Sequence, residues 1–301
     1  MPCKKFTFVA MASPCVMHIV SRDELVAELA ASVAIDEVRR IERRYSRYRP
    51  DSELSRINEV AQAGGETEVD AETAALFDFA FEAHDKSGGL FDITSGLLRR
   101  AWNFGSRALP AAADLHALLA RVGLRHVIWR NPVVAFSRPG VGIDFGGIGK
   151  EYAVDRSVAV LREFGITSGL VDLGGDIGVV GPHPDGTPWS IGIAHPRRAK
   201  EVMLSVSMAD GGLASSGDYE RFMEIDGTRY CHILDPRTGM SCQGLMAVSV
   251  VASNCLAAGA IATSAMLKGR DGPSWLAGLG LPHFYVDDEG AAGGTLAPVR
   301  N

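Results

Sequence analysis

The chain has 301 residues, 47% of them hydrophobic and 22% charged, with a net charge of −6. That balance suits a globular protein with a full core, read as one domain over residues 1–301. Basic runs are too short for a nucleic-acid partner, and no apolar stretch reaches the ~20 residues of a membrane span. No signal peptide or lipobox is visible, so a cytoplasmic protein is expected.

In chain order, Phe6 to Val20 reads as strands broken at Ser13-Pro14. Ser21, with Glu24 three residues on, forms a capping box. Val26, Ala30, Ala34, Val38, Ile41 and Tyr45 then recur at helical spacing and predict a long amphipathic helix. Arg47 to Asn58 reads as a loop. Asp70 caps a second helix with Leu76, Phe77, Ala80 and Phe81 as its buried stripe. His126 to Phe136 predicts a hairpin turning at Asn131-Pro132, and Met223 to Leu234 another turning at Asp226-Gly227. Gly-rich strands cover Gly169 to Gly181, Val248 to Ala252 is a buried strand, and Asn254 to Lys268 an alanine-rich helix stopped by Gly269. Strands and helices mix without regular alternation, so the expected class is α+β. Cys3, Cys15, Cys231, Cys242 and Cys255 are too scattered for a zinc knuckle and odd in number for a disulfide framework, which suits a reducing compartment.

Three segments could carry chemistry. From Ile143 to Tyr152 a strand ends in a glycine turn that opens a helix. Backbone amides there, with Lys150 beside them, would suit a phosphate or pyrophosphate. The spacing is neither a Walker A loop nor a dinucleotide fingerprint, and a tight turn needing glycine accounts for it equally. From Tyr230 to Gly239, His232 sits beside apolar strand positions, as a general base would, or as a loop histidine satisfied by backbone would. Ser215 and Ser216 precede Gly217 and could donate to a phosphate or merely end a strand. No G-x-S-x-G elbow is present, so acyl transfer has no support. His183 and His195 lack zinc spacing and read as surface residues.

Taken in order, these segments resemble the FAD:protein FMN transferase family, also called ApbE-like and formerly labelled thiamine biosynthesis lipoproteins. The resemblance spans nearly the whole chain: Ala10 to Ser13, Ser46 to Asn58, Phe91 to Thr94, Asp144 to Asp155, Leu173 to Asp176, Ser216 to Tyr219, His232 to Gly239 and Ala258 to Thr263. It implies a mixed-sheet fold flanked by helices and a cleft for FAD. There FMN passes through its phosphate to a Thr or Ser hydroxyl of an acceptor flavoprotein, with a divalent cation, Mg²⁺, assisting and AMP leaving. It places Met11 and Tyr48 against the isoalloxazine, Leu90, Phe91 and Asp92 along the flavin or ribityl portion, and Asp144, Lys150 and Ile233 around the nucleotide. A flat phenol ring such as Tyr48 is also physically suited to stack on a flavin. His232 is the residue implied to activate the incoming hydroxyl or hold the transferring phosphate.

The chain departs from the family at the metal. The resemblance implies an aspartate and a threonine four apart on the last helix, with a backbone carbonyl of the glycine turn; the corresponding positions are Gly259, Thr263 and Gly147. A further carboxylate carried by some members stands at Ala262, and Ala12-Ser13 replaces Gly-Thr in the opening motif. With Gly147 and Thr263 alone as metal-holding positions, weakened transfer is expected, and a gain of activity in Gly259→Asp would point to a lost metal ligand. An FAD-binding protein without transferase activity and an FAD pyrophosphatase are the alternatives at the same site.

Overall fold

In the computed structural model, which describes residues 1–198 and 201–296, the chain opens on a hairpin of β1 (Cys3–Ala10) and β2 (Ser13–Val20). Its turn lies at Met11-Ala12, with φ of 51° and 58°, and Pro14 sits within β2 opposite Val9. Two left-handed residues match the twist of a two-residue hairpin, but a Met-Ala pair carries no sequence signal for one. Helix α1 (Glu24–Arg44) buries Ala30, Ala34, Val38 and Ile41 as the periodicity predicts. Its cap is Asp23, which accepts from Leu25 N at 2.9 Å and Val26 N at 3.1 Å, while Ser21 accepts from the Asp23 amide instead. An aspartate caps as well as a serine and here stands closer to the first turn.

The segment read as a loop from Arg47 to Asn58 contains a helix start. Ser52 Oγ accepts from Ser55 N at 3.0 Å and opens α2 (Glu53–Ala63), whose Leu54, Ile57 and Ala61 are buried at helical spacing. Strand β3 (Glu66–Glu68) follows, then α3 (Ala71–Ser87), capped by Asp70 as expected, and α4 (Ala112–Leu119). Strands β4 (Val127–Arg130) and β5 (Val133–Phe136) form the hairpin read at Asn131-Pro132 and pair with β3 in a small sheet.

Helix α5 (Gly149–Glu163) starts at the glycine turn. Next come β6 (Gly169–Leu173), β7 (Asp176–Gly181), β8 (Trp189–Ala194), β9 (Val202–Met208) and β10 (Gly212–Gly217). Strands β11 (Phe222–Ile225) and β12 (Thr228–Cys231) make the hairpin at Asp226-Gly227. Strand β13 (Leu245–Ala252), α6 (Cys255–Lys268), α7 (Gly272–Leu279), β14 (His283–Asp287) and β15 (Ala292–Gly293) complete the chain. The main sheet has eight strands in the order β1-β2-β6-β7-β10-β13-β14-β15, all neighbours antiparallel. The class is α+β. No helix among the described residues is long and apolar enough to cross a membrane.

Successive strand side chains point to opposite faces, and both faces are apolar. Val171, Leu173, Ala214, Val248 and Val250 join the core that α1, α5 and α6 complete. Leu170, Ile177, Leu213, Phe284 and Val286 face the other way, where the β8–β9 ribbon covers them with Ile191, Ile193, Val206 and Met208. Each such side chain contributes roughly 1.5–3 kcal/mol of burial.

The α5–α6 contact positions the site. Asp155 of α5 accepts from Cys255 N at 2.8 Å and Leu256 N at 2.9 Å, satisfying the first amides of α6 from outside that helix. One turn back along α5 stands Glu151, and one turn on along α6 stands Gly259. A Cβ on Gly259 would lie 2.6 Å from Glu151 Oε1, so the two helices meet through a side chain on one and its absence on the other. The same register carried one step further reaches Gly147 and Thr263.

Candidate active site

The register ends in an open cleft of about 200 Å³. Leu90, Phe91, Asp92, Asp144, Gly147, Lys150, His232, Ile233 and Thr263 all line it, although they come from distant parts of the chain. Met11 and Tyr48 do not. Tyr48 is 79% exposed, its ring 5.6 Å from the Arg47 guanidinium. Arg47 pairs with Asp144 at the cleft wall, so Tyr48 stands on the neighbouring rim, with solvent and Arg47 as its surroundings. Met11 lies in the β1–β2 turn, its amide donating to Glu42 Oε1 at 2.6 Å. That turn reaches the site through Ser13, which abuts Gly174, whose carbonyl accepts from Lys150 Nζ at 3.5 Å.

Asp92 lines the cleft but spends its carboxylate on the wall. Oδ1 accepts from Thr94 N at 2.8 Å and Thr94 Oγ1 at 2.6 Å, and Oδ2 from Leu124 N at 3.0 Å. Thr94 Oγ1 in turn accepts from Gly123 N at 2.6 Å. The residue shapes the wall beside Phe91 and leaves little carboxylate free for a ligand.

The glycine turn enters α5 with the Ile148 and Gly149 amides donating to Phe145 O at 2.9 and 2.7 Å, and Lys150 lines the cleft beside it. Lys150 Nζ is 2.8 Å from Asp176 Oδ2. Burial opposes charge on both groups and raises the Asp176 carboxyl; on Lys150 the attraction of Asp176 outweighs burial and lifts the ammonium above its ordinary range. Asp176 is held there by the Gly174-Gly175 turn, whose φ of 65° and 94° suits glycine. Asp144 pairs with Arg47, lies 4.0 Å from Arg99 Nε, and accepts from Gly146 N at 2.8 Å, which fixes the turn. Ser216 Oγ and Thr263 Oγ1 are 2.9 Å apart, joining β10 to α6 across the floor.

His232 follows β12, its amide donating to Arg221 O at 2.9 Å. Burial, then the charges of Arg99 and Arg221, depress its pKa to about 4, so the imidazole is neutral at physiological pH. Its Nδ1 is buried without a hydrogen-bond partner. Flanking it, Cys231 and Cys242 bring their sulfurs to 3.7 Å, so two of the five scattered cysteines are neighbours, both as free thiols.

Glu151, Asp176 and Arg99 belong to this site and were not singled out from the sequence. Asp176 and Glu151 lie within segments that carry the family resemblance, but a charged residue beside a turn or in a first helical turn is usually a solvated one. Glu151 is instead 8% exposed. Burial and then the nearby Asp176 charge push its pKa up to about 8, with Lys150 opposing. Its Oε2 has no hydrogen-bond partner.

Among the described residues no three His, Cys, Asp or Glu side chains converge as a self-sufficient metal site. What the cleft offers a hard cation is the Gly147 turn, the Thr263 hydroxyl and the unsatisfied Glu151 oxygen. That set fits Mg²⁺, which is commonly held by one or two carboxylates together with substrate phosphates.

Comparison with known proteins agrees with this arrangement. A crystal structure of the ApbE protein of Thermotoga maritima superposes with a TM-score of 0.89 at 28% identity, covering 97% of each chain. The flavinyl transferase ApbE of Pseudomonas stutzeri, in its apo form, superposes with a TM-score of 0.86 at 30% identity over 97% of this chain and 93% of that one. The FAD:protein FMN transferase of Vibrio cholerae is 32% identical over 232 residues, 75% of this chain and 69% of its own length. With the ApbE family matched from residue 11 to residue 283, the chain belongs to that family.

Proposed function

We propose that this chain is an FAD:protein FMN transferase, moving FMN from FAD to a Thr or Ser hydroxyl of an acceptor flavoprotein with release of AMP. The observation that carries this reading is the meeting, in one cleft, of a cation-bearing helix start and a neutral buried imidazole. The amides at the start of α5 and the Lys150 ammonium receive the diphosphate. Asp176 holds Lys150 in place. Leu90, Phe91 and Ile233 supply the apolar wall along the flavin and ribityl portion, and Asp144 with Arg47 borders the nucleotide. Tyr48 is exposed near the Arg47–Asp144 pair, where its ring is free to turn onto an entering isoalloxazine, and Met11 lies in the β1–β2 turn.

The transfer is a displacement at the phosphorus of the FMN half. The acceptor hydroxyl oxygen forms the new P–O bond, its proton passes to His232 at Nε2, and the bridging P–O bond breaks with its electron pair leaving on AMP. A histidine depressed to about 4 is unprotonated at neutral pH and can accept that proton, as a weaker base than a free imidazole. Gly147, Thr263 and Glu151 are the groups that would hold Mg²⁺, which when bound neutralises charge on the diphosphate. Lys150 supplies positive charge from the protein itself.

Incubation with FAD, Mg²⁺ and an acceptor flavoprotein, followed by denaturing electrophoresis, is expected to leave flavin fluorescence on the acceptor and AMP in solution. FMN and AMP without labelled protein would identify a pyrophosphatase; unchanged FAD that remains bound would identify a carrier.

A further inference from the structure

A carboxylate buried with an oxygen unpaired is costly, and structures keep such groups where something else answers them. Glu151 is that group. Its side chain crosses from α5 to α6 at the one position of that contact where α6 has no side chain. A Cβ on Gly259 would lie 2.6 Å from both Glu151 Cγ and Oε1 and 2.9 Å from Cδ. The obvious cationic neighbour, Lys150, is engaged with Asp176 at 2.8 Å. Glu151 makes no ion pair within 4.0 Å among the described residues, its Oε2 is buried without a partner, and the residue lines the same cleft as Thr263 and the Gly147 turn. The α5–α6 register sets it one turn from both.

We infer that Glu151 is the anionic ligand of a divalent-cation site in this cleft, delivered from α5 into the space that Gly259 leaves on α6. This rests on the proposed metal-assisted handling of FAD. Glu151 and Gly259 are then a matched pair: the carboxylate reaches the site from one helix because the other has made room for it. Gly259 is accordingly no sign of a weakened metal site, and no gain of function is expected from Gly259→Asp alone. An aspartate there would force two carboxylates into one space.

The test titrates Mn²⁺ into the full chain with FAD present, following the loss of the free-ion electron paramagnetic resonance signal. FAD binding is measured separately in EDTA by flavin fluorescence quenching. The wild type is expected to take up Mn²⁺, and Glu151→Gln to weaken that uptake about 100-fold, as loss of one charged ligand should. Gly259→Asp alone should not improve uptake. The exchange variant Glu151→Gly/Gly259→Asp should return it to within about ten-fold of wild type. Quenching in EDTA should be the same throughout. Undiminished Mn²⁺ uptake by Glu151→Gln, or none by the wild type, overturns the assignment while quenching in EDTA keeps the FAD reading standing. If Glu151→Gln does not fold, the exchange variant decides, and its failure to take up Mn²⁺ when folded is equally fatal. Indifference of the wild type to FAD would instead remove the functional reading and this assignment with it.

Discussion

Two buried carboxylates line the cleft and illustrate how differently one chemical group can be used. Asp92 accepts from two backbone amides and a hydroxyl, so its charge is answered entirely by the protein. Glu151 is as deeply buried yet keeps an oxygen without a partner. The first arrangement stabilises the fold; the second raises the energy of the folded chain and leaves an unmet demand on a residue that lines the cleft. His232 Nδ1 is another of the four buried side-chain polar atoms left unpaired among the described residues, and it and Glu151 are the two whose residues line the cleft.

The sharpest way to break this contrast is to remove each carboxylate in turn. Asp92→Ala leaves the Thr94 and Leu124 amides buried without an acceptor, and should cost about 3–5 kcal/mol in urea unfolding. Glu151→Gln, which removes no such acceptor, should stay within about 1 kcal/mol of wild type. Equal losses in the two variants would end the distinction.

A smaller effect distinguishes His232 by pH. Its folded pKa of about 4 lies below its ordinary 6.5, so the unfolded chain binds the proton more readily. Stability owed to the neutral ring is therefore complete above pH 6.5 and is lost as pH falls toward 4, by about 3 kcal/mol in total. Unfolding curves of wild type and His232→Asn from pH 7.5 to 4.5 should differ in slope across that window. Parallel curves would mean that the ring is neither buried nor neutral in the way the geometry indicates.

Gly259→Ala should act more weakly still. Alanine gains about 1 kcal/mol of helix propensity over glycine, but its methyl group would meet the Glu151 side chain, and overpacking of this kind costs about 1–3 kcal/mol. A net loss near 1 kcal/mol is expected in thermal unfolding, and it should vanish in a Glu151→Gly background. Its persistence there would show that the two positions do not share a space.

Which of these features the sequence announces follows from the range of the forces involved. The hairpins at Asn131-Pro132 and Asp226-Gly227 and the helices capped by Asp70 and Asn254 depend on neighbours in the chain, and all are where local chemistry puts them. The Met11-Ala12 turn has no such local mark, and the start of α2 is hidden because Ser52 and Leu54 and Ile57 of its buried stripe lie inside the Arg47 to Asn58 motif, whose polar composition reads as a loop. At the site, Lys150, His232 and Thr263 were legible because glycine turns and family motifs surround them. Glu151 was not, because its meaning depends on Gly259, on another helix, and no periodicity links the two. The same holds for the three donors to Asp92, two amides and a hydroxyl from Thr94 and Leu124, which no sequence pattern announces.

Tyr48 gives the mildest and most discriminating test, since its position separates binding from folding. With 79% of its surface exposed, the ring contributes little to the core, and Tyr48→Ala should change stability by no more than about 0.5 kcal/mol. If the ring turns onto the isoalloxazine, FAD affinity should nevertheless fall by about 0.5–1.5 kcal/mol, the range of an aromatic stacking pair. Fluorescence quenching titrations read this directly, and Tyr48→Phe should keep most of the affinity, because the stacking face survives without the hydroxyl. An unchanged affinity in Tyr48→Ala would leave the ring a rim residue beside Arg47 and confine flavin recognition to the wall of Leu90, Phe91 and Ile233 that the structure already brings together.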